Sequence, residues 1–445
     1  MQWFKRLVFL LAALMAVLAI VPLFVSLEQH RAGIEQLLAE KLREPVHLKS
    51  LRLAGLPVPH VIVDGMEIGK GDIRAGRITI TPDLWSLLTA DKVIRSIRVA
   101  GLFINQRALD RIPAWTRTGS RAQQGDFAIR VQTVQLDDAV LQLQKTGFGP
   151  FDARVVLTPA GMPEGADINT RDGKLQMTLK PNGKNFSLSA RARSWQLPAG
   201  PPILFDELLI EGTATLNGVN LADIKARLYG GSVTGWTTMD WQKGLQLKGD
   251  FSVKAIELRS LVPLFSPETR LSGRLTAKPV FSANAPKPEQ IGAVLRLDTP
   301  FDVRDGVLQG IDIRKAATGL IGGDSSGQTR FDVLSGNFAL ERATRRITNL
   351  KVVSGTLAGD GNVTIAPNKD LSGRINVQIG TGSVSAATIP LNVSGNVDAP
   401  RLLPTAASVA GAAAGTALLG PLGTSVGAKV GNWAENLFGG GEKKK

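Results

Sequence analysis

The sequence predicts a mainly β protein, in which a long curled antiparallel β-sheet has one apolar face. From Val46 onward, apolar and polar residues alternate with a period of two for roughly 350 residues, which is typical of half-buried strands. The 48 glycines and 24 prolines supply frequent turns between short strands. At about 12 to 18 residues per strand and turn, this length holds on the order of 20 to 30 strands.

The N-terminal segment predicts a membrane anchor. Leu7–Val25 is a run of 19 uncharged residues, about 28 Å long as a helix, which is close to the thickness of a bilayer core. Lys5 and Arg6 precede the run, so the positive-inside rule places the N-terminus in the cytoplasm. A cleaved signal peptide is the alternative, although its apolar region would be long and no small-residue cleavage site follows. We therefore expect residues 1–26 to form a cytoplasmic stub and one transmembrane helix.

Helical spacing then appears within residues 27–45. The segment from Leu27 to Arg43 predicts an amphipathic helix that ends before Pro45. Its apolar residues are Ile34, Leu37, Leu38 and Leu42. Further along the chain we expect a short helical interruption at Pro82–Ala90 and a polar linker at Trp115–Gln124. No amphipathic helix that could cover the sheet is predicted in the middle of the chain.

Two stretches show the strand alternation most clearly. KLQMTLKPNGKNFSLSARAR, residues 174–193, predicts a hairpin with one apolar face around its Pro-Asn-Gly turn. LSGRINVQI, residues 371–379, predicts one strand with the same parity. The candidate groove-lining residues are Leu175, Met177, Leu179, Phe186, Leu188, Leu371, Ile375, Val377 and Ile379.

A short motif recurs through the second half of the chain. The pattern apolar-x-Gly-x-apolar begins at Leu271, Leu334, Val353, Leu371 and Val393. It indicates either a weak internal repeat or a coincidence in a glycine-rich β protein.

The C-terminal residues 405–445 differ from the strands in composition. Ala406–Phe438 is rich in small residues and is broken at Gly420-Pro421, so we expect a short helical tail. Such a tail would contact a membrane or cap the end of the sheet, and packing against the sheet is the alternative.

Composition gives no support for catalysis. The chain has no cysteine and only three histidines, all within its first sixty residues, so we expect no catalytic, cofactor or metal site and no enzyme activity. Phe-Asp pairs begin at Phe151, Phe205, Phe301 and Phe331, and we interpret them as Phe inward and Asp outward. Asp137-Asp138 predicts a solvated turn.

The formal charge of +14 favours an anionic partner, either nucleic acid or a phospholipid surface. Because the anchor places the body of the chain across the membrane, nucleic acid is not expected. The apolar face must also be covered, by folding into a sandwich, closing into a barrel or curling into a trough. With no covering helices predicted, phospholipid acyl chains are the expected occupants of an elongated apolar groove.

Both ends of the body resemble AsmA family proteins. The resemblance at the N-terminal end lies in IEQLLAEKLREPVHLKSLRL and GDIRAGRITITPDLWSLLTADKVIRSIRVAGLFINQ. At the C-terminal end it lies in FDVLSGNFALERATRRITNLKVVSGTLAGDGNVTIAPNKDLSGRINV and IPLNVSGNVDAPRLLPT. The resemblance assigns residues 46–115 to an N-terminal AsmA-like β segment and residues 116–404 to a β-groove, whose AsmA-like C-terminal region covers about 331–404.

This resemblance implies a TamB-related protein of the bacterial inner membrane. Its periplasmic groove would conduct phospholipids between the inner and outer membranes and support outer-membrane biogenesis and integrity, with or without an outer-membrane or periplasmic protein partner. The alternative is a periplasmic scaffold or regulator of outer-membrane β-barrel assembly, whose sheet edge would pair with client strands.

Overall fold

The structure, a computed structural model, describes residues 27–108 and 129–410. Short gaps fall at residues 57, 87–88, 90–91, 106, 144–145, 162, 184, 199, 216, 288–289, 319–325, 356, 382–383 and 407. The predicted anchor, the polar linker and the tail beyond residue 410 lie outside the described residues. Within the described ranges, no helix has the length and apolar character needed to cross a membrane.

The protein is mainly β, with a long antiparallel sheet, as the sequence predicts. The chain divides into two compact units, Met1–Gly200 and Pro201–Lys445. The described part of the chain contains 22 strands, within the predicted range. The strands of the N-terminal unit are β1 (Val46–Ala54), β2 (His60–Ile68), β3 (Ile73–Pro82), β4 (Lys92–Asn105), β5 (Ile129–Leu143), β6 (Thr146–Leu157), β7 (Pro163–Thr170), β8 (Leu175–Asn182) and β9 (Asn185–Gln196).

The strands of the C-terminal unit follow in the same manner. They are β10 (Leu204–Ala214), β11 (Gly218–Leu228), β12 (Gly231–Asp240), β13 (Leu245–Glu257), β14 (Leu271–Ala277), β15 (Val280–Ala285), β16 (Arg296–Gln309), β17 (Gln328–Glu341), β18 (Thr344–Ser354), β19 (Leu357–Ile365), β20 (Leu371–Thr381), β21 (Val384–Asn396) and β22 (Ala399–Pro404).

In the N-terminal unit, each strand pairs with its neighbours in sequence. Strands β1 to β4 form an antiparallel meander, and strands β5 to β9 form another. Strands β4 and β5 join the two meanders as a parallel pair, so the prediction of a purely antiparallel sheet is wrong there. A parallel pair needs a long crossover connection, and more than twenty residues separate Asn105 from Ile129.

The C-terminal unit is an antiparallel meander with one interrupted strand. Strands β14 and β15 both lie between β13 and β16, and together they occupy the place of a single strand. The interruption falls at Lys278-Pro279, where proline has no N–H to donate. The ladder is retained because the Lys278 amide donates to the Pro300 carbonyl at 3.3 Å and the Phe251 amide donates to the Pro279 carbonyl at 3.0 Å.

Helix α1 (Arg31–Leu42) lies on the sheet of the N-terminal unit and is preceded by a 3-10 turn at Leu27–His30. It ends where Arg43 adopts a left-handed conformation with a φ of 55°. Ile34, Leu38 and Leu42 pack against buried residues of β1 to β3. Leu37 is 60% exposed and lies outside this apolar stripe, so its predicted place among the helix's apolar contacts is wrong.

In the described part of the C-terminal unit, three short helices precede β17: α2 (Leu258–Leu261), which continues as a 3-10 turn at Val262–Leu264, α3 (Ile291–Val294) and α4 (Ile313–Thr318). Helices α2 and α4 bury Leu258, Ile313, Ala316 and Ala317 against the apolar side of the sheet. The expectation that no helix covers the middle of the chain is therefore wrong. These helices are four and six residues long, too short to show helical periodicity in the sequence.

Strand β13 runs without a break from Leu245 to Glu257, because Gly249 packs under the Phe281 ring instead of forming a turn. The prediction for one acidic pair needs correction. Asp137-Asp138 lies within β5 at a bulge, where Asp138 has a φ of 56°. Arg98 pairs with Asp137 at 2.6 Å, so this acidic pair is a bulge with an ion pair and not a turn.

The described part of Pro82–Ala90 contains a hydrogen-bonded turn rather than a regular helix. Asp83 Oδ1 accepts from the amides of Trp85 and Ser86, at 3.1 and 3.2 Å. The Thr89 amide donates to the Ser86 carbonyl at 3.1 Å.

The described chain continues past the last strand as a helical turn. Strand β22 ends there, and Thr405 begins a helical turn in which its Oγ1 accepts from the Ser408 amide at 3.2 Å. The Thr405 amide donates to the Pro390 carbonyl at 3.1 Å, which attaches the start of this turn to β21.

The glycine motif does not mark a repeating structural unit. Its copies begin strands β14 and β20 at Leu271 and Leu371, but they lie in the middle of β17 and near the ends of β18 and β21.

Candidate functional site: the apolar face of the sheet

The strand register joins apolar residues into rows that cross all nine strands of the N-terminal unit. Each member of a row is the direct partner of the next, from β1 to β9. The first row is Leu53, Val61, Ile80, Ile97, Val134, Val155, Ala166, Leu179 and Leu188. The second row is Leu51, Val63, Ile78, Val99, Leu136, Ala153, Ile168, Met177 and Ala190.

The two rows lie on the same face because their members are two residues apart on every strand. The parallel pair preserves this face, since Ile97 pairs with Val134 and Val99 pairs with Leu136. Neither row contains a polar residue. An apolar strip two residues wide therefore continues across the whole unit without interruption.

The two ends of this strip differ in whether a helix packs on them. At β1 to β3, helix α1 packs on the face, and Leu51, Val63 and Ile78 of the second row are buried. The members of the first row are half-buried there. At β6 to β9, no helix of the described residues makes extensive contact with the strands. The larger apolar side chains of the rows there, such as Ile168, Met177 and Leu179, are half-buried. Ala153 and Ala190 of the second row are buried.

The predicted hairpin consists of β8 and β9 and belongs to this part of the strip. Met177, Leu179 and Leu188 belong to the two rows, Leu175 pairs with Ala192, and Phe186 pairs with Pro181. All five candidate residues of the hairpin are half-buried, whereas Gln176, Lys180 and Arg191 are exposed. The structure therefore brings these five candidates together on one apolar surface.

In the C-terminal unit, a third row crosses eight strands. Its members are Ile256, Leu275, Val303, Leu334, Val352, Gly359, Val377 and Ile389. Val303, Val352 and Val377 of this row belong to a buried cluster that includes Phe331, Leu391 and Leu402. Here the apolar face is closed by protein.

Together with α2, helix α4 is one of the elements that close it. The helix contacts β17, β20, β21 and β22, and its Ile313, Ala316 and Ala317 are buried. Thr329 on β17 attaches the start of the helix, since its Oγ1 accepts from the Ile313 amide at 3.0 Å and donates to the Ile311 carbonyl at 2.8 Å. Asp312 Oδ1 accepts from the Lys315 amide at 2.9 Å and caps the helix.

The four candidates on β20 share one face, but they lie under this cover. Val377 has no exposed surface and Ile375 is also buried, while Leu371 and Ile379 are half-buried and pack against the same cluster. The β20 set therefore contributes to a packed interior with two buried members, whereas all five candidates on β8 and β9 are half-buried.

Several residues of the apolar face could not be selected from single strands. Ala153, Ala190 and Ala192 are buried on it, yet alanine carries a weak alternation signal. Leu391 and Val393 could have been selected from the sequence, because they alternate with polar residues in the stretch IPLNV, and both are buried. Ile313 could not be found by alternation because it lies in a helix.

The opposite face is polar and is linked by ion pairs. In the N-terminal unit, Arg77 and Arg52 lie 2.8 and 2.9 Å from the two oxygens of Asp64. The Arg77 hydrogen bond, assisted by the charges of both arginines and by Ser50, lowers the pKa of Asp64 below its ordinary value. Within the described residues, no group of three or more acidic or histidine side chains is arranged to bind a metal ion.

In chemical terms, this site offers apolar contact area with polar groups confined to the other face. Such a surface can bind a hydrocarbon chain without directional contacts. Comparison with known protein families, with curated proteins and with solved structures finds no match for the chain.

Proposed function

We propose that the protein is an AsmA-like, inner-membrane-anchored periplasmic protein that binds phospholipid acyl chains on its apolar sheet face. It would conduct phospholipids between the inner and outer membranes and so support outer-membrane biogenesis and integrity. One observation carries the proposal: two unbroken apolar rows cross nine strands, and at β6 to β9 their larger side chains stay partly exposed where no described helix makes extensive contact.

Acyl chains suit this surface for a physical reason. Removing apolar surface from water contributes about 25 cal/mol per Å², or about 0.8 kcal/mol for each buried methylene group. The contact is non-directional, so a chain can shift along the rows without losing specific hydrogen bonds. A charged headgroup can remain in water beside the polar edge of the strip.

The sequence supports the location. Leu7–Val25 is long enough to span a bilayer, and Lys5 and Arg6 favour a cytoplasmic N-terminus. The excess of basic residues is compatible with anionic phospholipid surfaces.

Site-specific photo-crosslinking tests the proposal in cells. A photoreactive amino acid at Leu179 should capture phospholipid, and one at the adjacent Lys180, which faces away from the rows, should not. Leu188, the direct partner of Leu179, is a second test position on the same face.

Equal lipid capture at Leu179 and Lys180 would reject a lipid-binding face. Capture of an outer-membrane barrel protein at Leu179 and Leu188, with no lipid at either position, would instead support the assembly-scaffold alternative.

A further inference from the structure

Among the described residues, three large apolar side chains are exposed at one end of the N-terminal unit. Leu56 lies in the β1–β2 connection, and Leu84 and Trp85 lie in the β3–β4 connection. Their exposed fractions are 45%, 40% and 79%. Both connections leave the sheet at the same end, because Ala54 pairs with His60, Val61 with Ile80, and Pro82 with Ile94.

The turn that carries Trp85 is held by a network of hydrogen bonds. Asp83 Oδ1 accepts from the Trp85 and Ser86 amides, and Arg95 pairs with Asp83 Oδ2 at 3.0 Å. The buried Ser86 Oγ accepts from the Val93 amide at 2.9 Å. The Arg95 hydrogen bond lowers the pKa of Asp83 below its ordinary value. The indole is therefore displayed on an ordered turn.

The N-terminal helix begins at this end of the sheet. Glu28 Oε2 accepts from the Leu51 amide at 2.9 Å, and further along the helix Glu35 Oε1 accepts from the Leu48 amide at 2.7 Å. The helix therefore runs antiparallel to β1, and its first residues lie about 10 Å from the Ala54 end of that strand. The apolar run Leu7–Val25 joins the chain just before Leu27, so it connects to the unit near the exposed side chains.

We propose that Leu56, Leu84 and Trp85 form a bilayer-contact surface. Its partner is the boundary between headgroups and acyl chains of the membrane that Leu7–Val25 enters. Tryptophan suits this boundary because the ring is apolar while its N–H can still bond to water or a headgroup. The side-chain amine of Lys92 donates to the Thr89 carbonyl at 2.7 Å, which places a positive charge on the same loop for anionic headgroups.

The inference shares membrane insertion with the proposed function, but it does not depend on lipid conduction. The inference implies an orientation for the N-terminal unit. The β1–β2 and β3–β4 connections would face the bilayer, so the membrane would lie at that end of the strands.

The absence of cysteine allows a direct test on the full chain. A nitroxide label at Leu84→Cys, with Trp85 intact, is compared with the same label at Trp236→Cys, where the native side chain is 41% exposed in the C-terminal unit. The chain is reconstituted in vesicles of phosphatidylethanolamine and phosphatidylglycerol. We expect the label at 84 to be more accessible to oxygen and less accessible to a water-soluble nickel complex than the label at 236.

Equal accessibility at the two positions, in vesicle-bound protein, would overturn the inference, and so would failure of the full chain to float with the vesicles. Immersion at position 84 without lipid capture at Leu179 would support the contact surface while rejecting lipid conduction.

Discussion

At the scale of single residues, the packing of Val377 decides what a substitution there can report. Its side chain has no exposed surface, lies between Gly359 on β19 and Ile389 on β21, and belongs to the cluster closed by α4. Gln378, the next residue, is exposed. Position 377 therefore reports on the stability of the closed interior, whereas Leu179 reports on ligand access.

We expect Val377→Glu to destabilise the C-terminal unit by about 3 kcal/mol or more, because it buries a charge without a partner. Gln378→Glu is the matched control and should change the free energy of unfolding by less than about 0.5 kcal/mol. Chemical denaturation of the two variants measures the difference. A Val377→Glu protein as stable as the control would show that the interior opens readily to water.

The ion pairs of Asp64 predict a pH-dependent contribution to stability. Because the folded pKa lies below the ordinary value of 3.8, the contribution is complete above that value and is lost as the pH falls through the lowered pKa. Asp64→Asn should cost about 1 kcal/mol at neutral pH, as these pairs are largely exposed.

Amide exchange in β2 at neutral and acidic pH measures this effect. Glu67→Gln, an exposed carboxylate on the same strand, serves as the control. The difference between Asp64→Asn and the parent protein should shrink in acid, and a difference independent of pH would contradict the role of Asp64.

Side-chain parity was predictable from sequence because it depends only on neighbouring residues. Leu175, Met177 and Leu179 point to one face and Gln176 and Lys180 to the other, as alternation requires. Which apolar residues would be covered by other parts of the protein was not predictable, since Val377 and Leu179 have the same local alternation of apolar and polar residues. Their different exposure is set by α4, whose short sequence resembles a loop.

At the scale of elements, helix α4 separates a packed interior from an open apolar face. We expect Ile313→Ala to cost about 2 to 4 kcal/mol through the cavity it leaves beneath the helix. Lys315→Ala, an exposed change on the same helix, should have a small effect. Hydrogen exchange should rise in β20 and β21 for the first variant alone. Unchanged exchange would mean that the helix is not required to close the face.

Pairing between strands was predictable only where it is local. The β8–β9 hairpin was predictable from its Pro-Asn-Gly stretch, since Pro181 and Asn182 end β8 and Gly183 follows with a φ of 62°. The parallel β4–β5 pair depends on a contact across more than twenty residues, for which alternation contains no information. The arrangement at Pro279 was not predictable either. The sequence shows two short apolar runs, but not that β14 and β15 together occupy the place of one strand.

At the scale of the whole molecule, the sequence predicts a single crossing of the inner membrane by Leu7–Val25. A phosphatase that is active only outside the cytoplasm, fused after Lys445, should therefore be active. Reversing the charges of Lys5 and Arg6 should reduce this activity, because these residues direct the orientation. A stable but inactive fusion of the parent chain would place its C-terminus in the cytoplasm.

The pairing of almost every strand with its neighbour in sequence has a consequence for how such a protein can change over evolutionary time. A duplicated or deleted hairpin returns the chain to the same end of the sheet, and a matching turn keeps the apolar residues on the same side. Length can then vary in steps of two strands while the remaining strands keep their partners. A step of one strand would reverse the chain direction and demand a long crossover, such as the connection between β4 and β5.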